Sequence, residues 1–214
     1  TIDGVTAKDF DDAVYVETNN RGFLLRVAIA DVSHYVKPKT ALDKDAYDKG
    51  NSSYFPMYVV PMLPEALSNE LCSLKPKVDR LAMVAEIQMN FRGDFESYKF
   101  YEAIINSHAR ITYGEAQEIV DGSCPEKFSH VENDVNRAAD LAKILMAKRF
   151  SQGSLDLDIP ETEIILDESG TPIDIIKSER LFAHRLIEEL MLAANVAVAR
   201  YFEDHELNLS LIHI

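Results

Sequence analysis

The sequence lacks the features of membrane proteins, secreted proteins and zinc ribbons. It has no apolar run of about 18 residues, which a membrane-spanning helix requires, so no membrane partner is expected. It also lacks the basic start and apolar stretch of a signal peptide. Its two cysteines, Cys72 and Cys124, are far apart and form no Cys-x-x-Cys pair, which argues against a disulfide framework. A reducing, cytoplasmic location is therefore the default expectation.

Positive charge is scarce as well. The 214 residues include 22 Lys and Arg against 36 Asp and Glu, which gives a formal net charge of −14. This charge argues against a general polyanion-binding surface, because nucleic-acid affinity usually rests on Lys and Arg. With 47% hydrophobic and 27% charged residues, the composition is that of a globular domain rather than a disordered chain.

Apolar periodicity and turn residues predict a mixed α+β domain. Strands and helices do not alternate regularly, so we expect a mainly antiparallel sheet flanked by helices. The apolar end at 209–214 suggests that further protein follows it. In order, the pattern predicts a hairpin turning at 19–22, a helix from Thr40 to Gly50, an irregular stretch at 56–64, a hairpin turning at 92–94, helices over 112–122 and up to Gly153, a hairpin turning at 168–170 and a helix over about 178–202.

Four aspartates lie close together near the start of the chain: Asp3, Asp9, Asp11 and Asp12. A turn at Gly4 can bring Asp3 back towards the other three. Two like charges about 4 Å apart repel by roughly 4 kcal/mol at an effective dielectric near 20, so converging carboxylates require a cation. Hard oxygen ligands suit Mg²⁺ or Mn²⁺.

The spacing of these aspartates is also typical of acidic loops without a bound metal and of calcium loops. From spacing alone, a solvated acidic loop is an equal alternative to a metal site. An EF-hand calcium loop is excluded, because it would need glycine where Val14 stands and glutamate where Asn20 stands. Phe10 favours an organised site, since it can anchor the loop against a core while the aspartates point the other way.

Several segments together resemble the RNB catalytic domain of the ribonuclease II and ribonuclease R exoribonucleases, and the ribonuclease R branch fits better. The resemblance covers essentially the whole chain, as the N-terminal portion (1–214) of an incomplete RNB domain. The family's downstream arginine segment and flanking RNA-binding barrels are absent from it. The matching segments are Thr1–Asp12, Val27–Val36, Ser53–Pro56, Pro61–Pro64, Leu67–Asn69, Ser107–Tyr113 and Leu186–Glu189.

The resemblance implies a Mg²⁺-dependent enzyme that hydrolyses single-stranded RNA from its 3′ end to 5′-mononucleotides during RNA turnover. Asp3, Asp9, Asp11 and Asp12 would be its catalytic, metal-holding residues. In two-metal chemistry, one ion activates a water and the other neutralises the leaving 3′ oxygen. Because the other half of the RNB domain and the barrels are missing, we expect these 214 residues alone to be weakly active or inactive. RNA affinity would come mainly from those missing parts and from the metal.

The resemblance also implies three RNA contacts. Tyr54 matches a tyrosine beside the terminal nucleotides, where an aromatic face stacks on any base. Glu188 resembles a glutamate near the 3′-terminal ribose, with its neighbour Glu189 as the alternative. Leu157 stands where many relatives have the phenylalanine that completes a base clamp. The simpler alternatives are a core tyrosine and a solvated helix glutamate.

Two histidines and two basic residues lie in or near the matching segments. His34 and His108 are expected to hold local structure through hydrogen bonds. Arg110 and Lys8 either contact phosphate or belong to the surface.

Two rival functions remain open from the sequence. The first is a non-catalytic RNB-like module that binds RNA or regulates. The second is an acidic interaction module that only buffers divalent ions.

Overall fold

The structure is a computed structural model that describes residues 1–55, 58–155, 162–167, 169–177 and 180–207. Its strands and helices are β1 (Ile2–Asp3), β2 (Asp12–Asn19), β3 (Gly22–Ala30), α1 (Val32–Tyr35), α2 (Ala41–Lys49), β4 (Ser53–Phe55), β5 (Tyr58–Val60), a π-helical turn (Ala66–Leu71), β6 (Asp79–Met89), β7 (Phe95–Asn106), β8 (Ile111–Thr112), α3 (Tyr113–Val120), a 3₁₀ turn (Glu126–Phe128), α4 (Glu132–Ser151), β9 (Thr162–Leu166), β10 (Pro172–Lys177) and α5 (Phe182–Asp204).

A four-stranded antiparallel sheet, in the order β2-β3-β6-β7, organises the domain. Strands β2 and β3 form a hairpin that closes at the Asn19–Gly22 pair. On its other edge, β3 pairs with β6 along nearly its whole length. Because successive side chains of a strand point to opposite faces, each strand of this sheet contributes to two separate apolar layers.

The main core lies between one face of the sheet and helices α3, α4 and α5. From the sheet it takes Leu25 and Val27 of β3 and Ile87 of β6, all of which are fully buried. From the helices it takes Leu141 of α4 and Leu186 of α5, which are equally buried. The helices therefore cover this face completely enough to exclude water from its centre.

A smaller second core lies on the opposite face of the sheet. Its members are Phe10, Ala28, Ala30, Cys72, Leu74, Ala82 and Val84. Phe10 is only 8% exposed, so the anchor predicted inside the acidic stretch is confirmed. The aspartates on either side of Phe10 are held at the surface of this second core.

The α+β class and most predicted elements are confirmed. The three hairpins form as β2-β3, β6-β7 and β9-β10, and Thr112 caps α3 in a capping box with Glu115. The prediction for the proline-containing stretch was wrong in part, because Tyr58–Val60 pairs with Ser53–Phe55 as a short hairpin. The last helix begins at Phe182 rather than near 178, and residues 178–179 lie outside the described ranges, as does the apolar end at 209–214.

No helix within the described ranges is both long enough and apolar enough to cross a bilayer.

Replacement of Gly22 by alanine should destabilise the fold. Gly22 closes the first hairpin with φ +136°, and an added Cβ would lie 2.2 Å from the carbonyl oxygen of Met89. Since both the backbone angle and the contact oppose a side chain, we expect Gly22→Ala to lose at least about 1 kcal/mol in urea unfolding.

The matched control is Gly114→Ala in α3, where nothing lies within 4 Å of the new methyl group. That change should be neutral or stabilise the helix by up to about 1 kcal/mol. Equal stability of the two variants would contradict the hairpin geometry.

Candidate metal centre

A two-residue parallel strand pair places the first aspartate. Strand β1 pairs with β8, so that Ile2 lies opposite Ile111 and Asp3 lies opposite Thr112. Ile2 and Ile111 are buried in the main core, which fixes the pair against the sheet. Asp3 is therefore held beside the start of α3, and its Oδ1 accepts a hydrogen bond from the Gly4 nitrogen at 2.6 Å.

The second aspartate, Asp9, lies between two backbone groups that a single serine binds. The hydroxyl of Ser73 donates to the Lys8 carbonyl at 2.8 Å and accepts from the Phe10 nitrogen at 3.0 Å. Leu74 adds a backbone hydrogen bond from its nitrogen to the Phe10 oxygen at 2.8 Å. The backbone on both sides of Asp9 is thereby attached to residues 73–74.

The last two aspartates lie where the loop enters the central sheet. The Ala30 nitrogen donates to the Asp11 carbonyl at 2.9 Å, and Asp12 begins β2 opposite Ile29. The Oδ2 atom of Asp12 is buried and has no hydrogen-bond partner among the described residues. A buried carboxylate oxygen without a donor is costly, so this atom is available for another positively charged or protonated group.

The four carboxyls are close enough to affect one another electrostatically. Burial raises the pKa of Asp12 to about 6, and the charges of Asp3 and Asp11 add to the rise, which the amine of Thr1 opposes. Burial likewise raises the pKa of Asp3, with a contribution from Asp9 and an opposing one from Arg110. Partial removal of water also raises the pKa of Asp11, whose neighbours Asp9 and Asp3 add to the effect.

A hard cation fits this set of donors. None of the ion pairs between described residues involves the four aspartates, and the set offers only carboxylate oxygens, which Mg²⁺ and Mn²⁺ prefer. In the part of the chain that the structure describes, no three His, Cys, Asp or Glu side chains are gathered closely enough to hold a metal as they stand. The aspartates therefore act on one another electrostatically without forming a closed set of ligands, and the Thr1 amine and Arg110 offset only part of their mutual repulsion.

Tyr113 is a neighbour of the site that the sequence did not single out. It follows directly after Thr112, the partner of Asp3, and burial raises its pKa with contributions from Asp3 and Asp12. Its ring stacks on His184 of α5 at a centroid distance of 4.1 Å. The segment 107–113 was recognised, but only the long-range pairing of β8 with β1 shows that Tyr113 lies beside the carboxylates.

Tyr54 is a neighbour of Asp9 and Asp11. It is 68% exposed on β4, so it is not a core tyrosine. Partial burial of its hydroxyl raises its pKa, and the charges of Asp9 and Asp11 raise it further. An exposed aromatic face next to the aspartates is thus available to a ligand, and its contact with RNA stays a prediction.

The remaining predicted RNA contacts are less well placed. Glu188 is exposed on α5 and pairs with Arg180, and no hydrogen bond or ion pair between described residues links it to the aspartates. Its neighbour Glu189 is 3% exposed and accepts a hydrogen bond from Nε of Arg149 at 3.0 Å. Leu157 lies outside the described residues.

The two histidines and two basic residues named from the sequence divide between structural and surface positions. His34 is exposed, its backbone nitrogen donates to Asp31 at 3.1 Å, and its ring meets Tyr35 edge to face. His108 and Lys8 are exposed. Arg110 is half-buried and has a structural contact, because its Nη2 donates to the carbonyls of Gly4 and Val5 at 2.6 and 2.9 Å.

The RNB domain family matches residues 1–214. Ribonuclease R of Vibrio cholerae is 47% identical over 206 residues, which are 95% of this chain and 25% of the relative, and ribonuclease R of Escherichia coli is 45% identical with the same coverage. The chain thus spans about a quarter of the length of these curated relatives.

A solved structure has the same fold. Mycoplasma genitalium RNase R in complex with ribose-methylated single-stranded RNA superposes with a TM-score of 0.91 at 40% identity, covering 98% of this chain and 33% of that chain.

Asp12→Asn should stabilise the metal-free chain at neutral pH. The folded carboxyl, with its pKa of about 6, binds a proton more tightly than the unfolded carboxyl at 3.8. Stability should therefore fall as pH rises from about 4 to about 6, and the amide, which cannot ionise, should remove that fall. The gain in urea unfolding at pH 7 with a chelator present is expected to be up to about 3 kcal/mol and to vanish below about pH 4.

Asp94→Asn is the control of opposite sign, because hydrogen bonds from Lys148 and Asn90 lower the pKa of Asp94. That variant should lose stability at pH 7. A destabilised Asp12→Asn at pH 7 without metal would contradict the electrostatic account of the site.

Proposed function

Because this chain belongs to the RNB domain family, we propose that it is the metal-binding portion of a Mg²⁺-dependent 3′-to-5′ exoribonuclease of the ribonuclease R type. The observation that carries the proposal is a set of four carboxylates whose charges act on one another. Three of them have raised pKa values, and Asp12 contributes a buried oxygen without a hydrogen-bond donor. These features favour a site that binds positive charge over a solvated acidic loop.

In this proposal Asp3, Asp9, Asp11 and Asp12 hold the cation, with Mn²⁺ as an acceptable substitute for Mg²⁺. When bound, such ions polarise phosphoryl oxygens and neutralise the charge that develops as a phosphodiester is hydrolysed, in the manner of two-metal nucleases. The anchored backbone on both sides of Asp9 keeps the carboxylates in place before the substrate arrives. This arrangement avoids the cost of reorganising them during the reaction.

The proposed substrate is the 3′ end of single-stranded RNA, released as 5′-mononucleotides. Tyr54 supports this proposal, since its exposed ring lies beside Asp9 and Asp11 and can stack on a base of any identity. The superposable Mycoplasma genitalium RNase R was solved with single-stranded RNA bound. With a net charge of −14, this portion alone has little affinity for phosphate backbones, so the proposal assigns most RNA binding to protein outside these residues.

One observation fits a rival function equally well. The carboxylates are not gathered into a closed ligand set within the described ranges, which is what a non-catalytic RNB-like RNA-binding module would also show. Such a module, however, gains nothing from keeping several buried carboxyls in mutual repulsion. Metal binding separates this rival from the proposal, and RNA cleavage separates the proposal from an acidic module that only buffers ions.

Calorimetric titration of the chain with Mn²⁺ or Mg²⁺ should detect binding that the aspartates provide. We expect Asp12→Asn to weaken that binding by at least about 10-fold, because it removes a ligand charge from the site. Asp45→Asn is a suitable control, since Asp45 lies on α2 and pairs with Lys49. The absence of binding to the unmodified chain would refute the proposed metal centre.

Turnover should depend on Asp11 more than RNA binding does. In the longer protein that contains this chain, Asp11→Asn should lower kcat on a 5′-labelled oligonucleotide by at least about 100-fold, because charge stabilisation in the transition state is lost. RNA affinity in a gel-shift assay should be largely kept, and Asp45→Asn should change neither quantity. An equal loss of turnover and binding in Asp11→Asn would contradict the role proposed for it.

The 214 residues alone should be weakly active or inactive in the same cleavage assay. Full activity of the short chain would contradict its dependence on the remainder of the protein.

A further inference from the structure

The backbone of residues 4–11, here called the acidic loop, has no regular strand or helix of its own. It nevertheless carries Asp9 and Asp11 and connects Asp3 to Asp12. Chain segments without regular hydrogen bonding are the most mobile parts of a fold unless side chains satisfy their backbone groups. The hydrogen bonds to the acidic loop therefore decide how firmly the carboxylates are held.

Ser73 binds the acidic loop from the side of the second core. Ser73 is completely buried, and its hydroxyl both donates to the Lys8 carbonyl and accepts from the Phe10 nitrogen. Together with the bond from the Leu74 nitrogen to the Phe10 oxygen, this hydroxyl replaces the strand partner that residues 8–10 lack. Cys72 and Leu74, on either side of Ser73, are buried in the second core, so the serine itself has little freedom to move.

Arg110 binds the acidic loop at its other end, near Asp3. Its guanidinium donates to two successive carbonyls, those of Gly4 and Val5, and lies 5.6 Å from the centroid of the Phe10 ring. The residue precedes β8, whose pairing with β1 places Asp3. Arg110 thus connects the turn after Asp3 to the aromatic anchor that follows Asp9.

We propose that Ser73 and Arg110 are positioning residues of the metal centre. Ser73 binds the acidic loop at 8–10 and Arg110 binds it at 4–5, and together they preorganise the aspartates for a divalent cation. This inference rests on the proposed function of the site. It assigns neither residue a contact with the cation or with RNA. Groups that orient metal ligands in this way commonly contribute about 10-fold to 100-fold in metal affinity.

The positive charge of Arg110 makes the inference testable against a purely electrostatic effect. A guanidinium near the site repels an incoming cation, so its removal alone should strengthen metal binding. Loss of the two hydrogen bonds should instead weaken binding, because the loop has to be ordered when the cation arrives. Arg110→Met and Arg110→Lys separate the two effects, since lysine keeps the charge but not the forked geometry.

The experiment measures Mn²⁺ affinity of the 214-residue chain by calorimetry for Ser73→Ala, Arg110→Met and Arg110→Lys. We expect Ser73→Ala and Arg110→Lys to bind about 10-fold more weakly. Arg110→Met should also bind more weakly than the unmodified chain, but by less than Arg110→Lys, because it loses the repelling charge together with the hydrogen bonds. Ser97→Ala and Arg92→Met are the matched controls, because Ser97 is exposed on β7 and the Arg92 side chain is 87% exposed. Both controls should bind as the unmodified chain does.

Hydrogen exchange provides a readout that does not involve the metal. The Phe10 amide, whose acceptor is the Ser73 hydroxyl, should exchange faster in Ser73→Ala, while amides in the centre of α4 keep their protection. In the longer protein, the variants should lower kcat at limiting Mg²⁺ and recover at high Mg²⁺ with KM for RNA unchanged. Circular dichroism identifies any variant that does not fold, and the Arg110 pair remains decisive if Ser73→Ala is lost in this way.

Tighter metal binding by Arg110→Met with unchanged binding by Arg110→Lys would overturn the inference, because charge alone would then explain the effect. Unchanged affinity and unchanged Phe10 exchange in Ser73→Ala would overturn it as well. If the unmodified chain binds no Mn²⁺, the proposed function fails together with the inference. If the unmodified chain binds Mn²⁺ and the variants match it, only the inference fails.

Discussion

Mutual repulsion among four carboxylates is the constraint around which this part of the molecule is arranged. Asp3, Asp9, Asp11 and Asp12 lie close enough for burial and neighbouring charges to raise the pKa of three of them. Left free, such side chains would separate into water, where their interaction is weak. The fold prevents this by fixing the backbone that carries them, through β1-β8 pairing at one end, entry into β2 at the other, and Phe10 in between.

Both cores support the backbone that carries the aspartates, each from its own face of the sheet. The main core packs α3, α4 and α5 against one face of the sheet and supplies most of the buried apolar surface. The second core is small, but it is the one that holds Phe10 and the segment 72–74 beneath the acidic loop. A stable sheet thus gives a rigid base to a site that is electrostatically unfavourable on its own, as expected for functional sites in general.

Local patterns in the sequence predicted much of this architecture. The Asn19–Gly22 turn, the capping box of Thr112 and Glu115, and the apolar spacing of α4 are each set by residues close together in the chain, and each is confirmed. The isolated Phe10 correctly indicated an anchored loop. Contacts across long separations were not predictable in the same way, since no local pattern encodes them. Ser73 meets Phe10 from 63 residues away, and Arg110 meets Gly4 from 106. Ser73 was not singled out from the sequence, and Arg110 was considered only as a phosphate contact or a surface residue, so their contacts with the loop became visible only in three dimensions.

The central claim is that the four aspartates converge on a divalent cation, and anomalous diffraction from crystals grown with Mn²⁺ tests it most directly. The account predicts a strong anomalous peak among Asp3, Asp9, Asp11 and Asp12, within about 2.2 Å of carboxylate oxygens that include Oδ2 of Asp12. No peak at this position in crystals that bind Mn²⁺ elsewhere, with the four side chains directed apart into solvent, would contradict it.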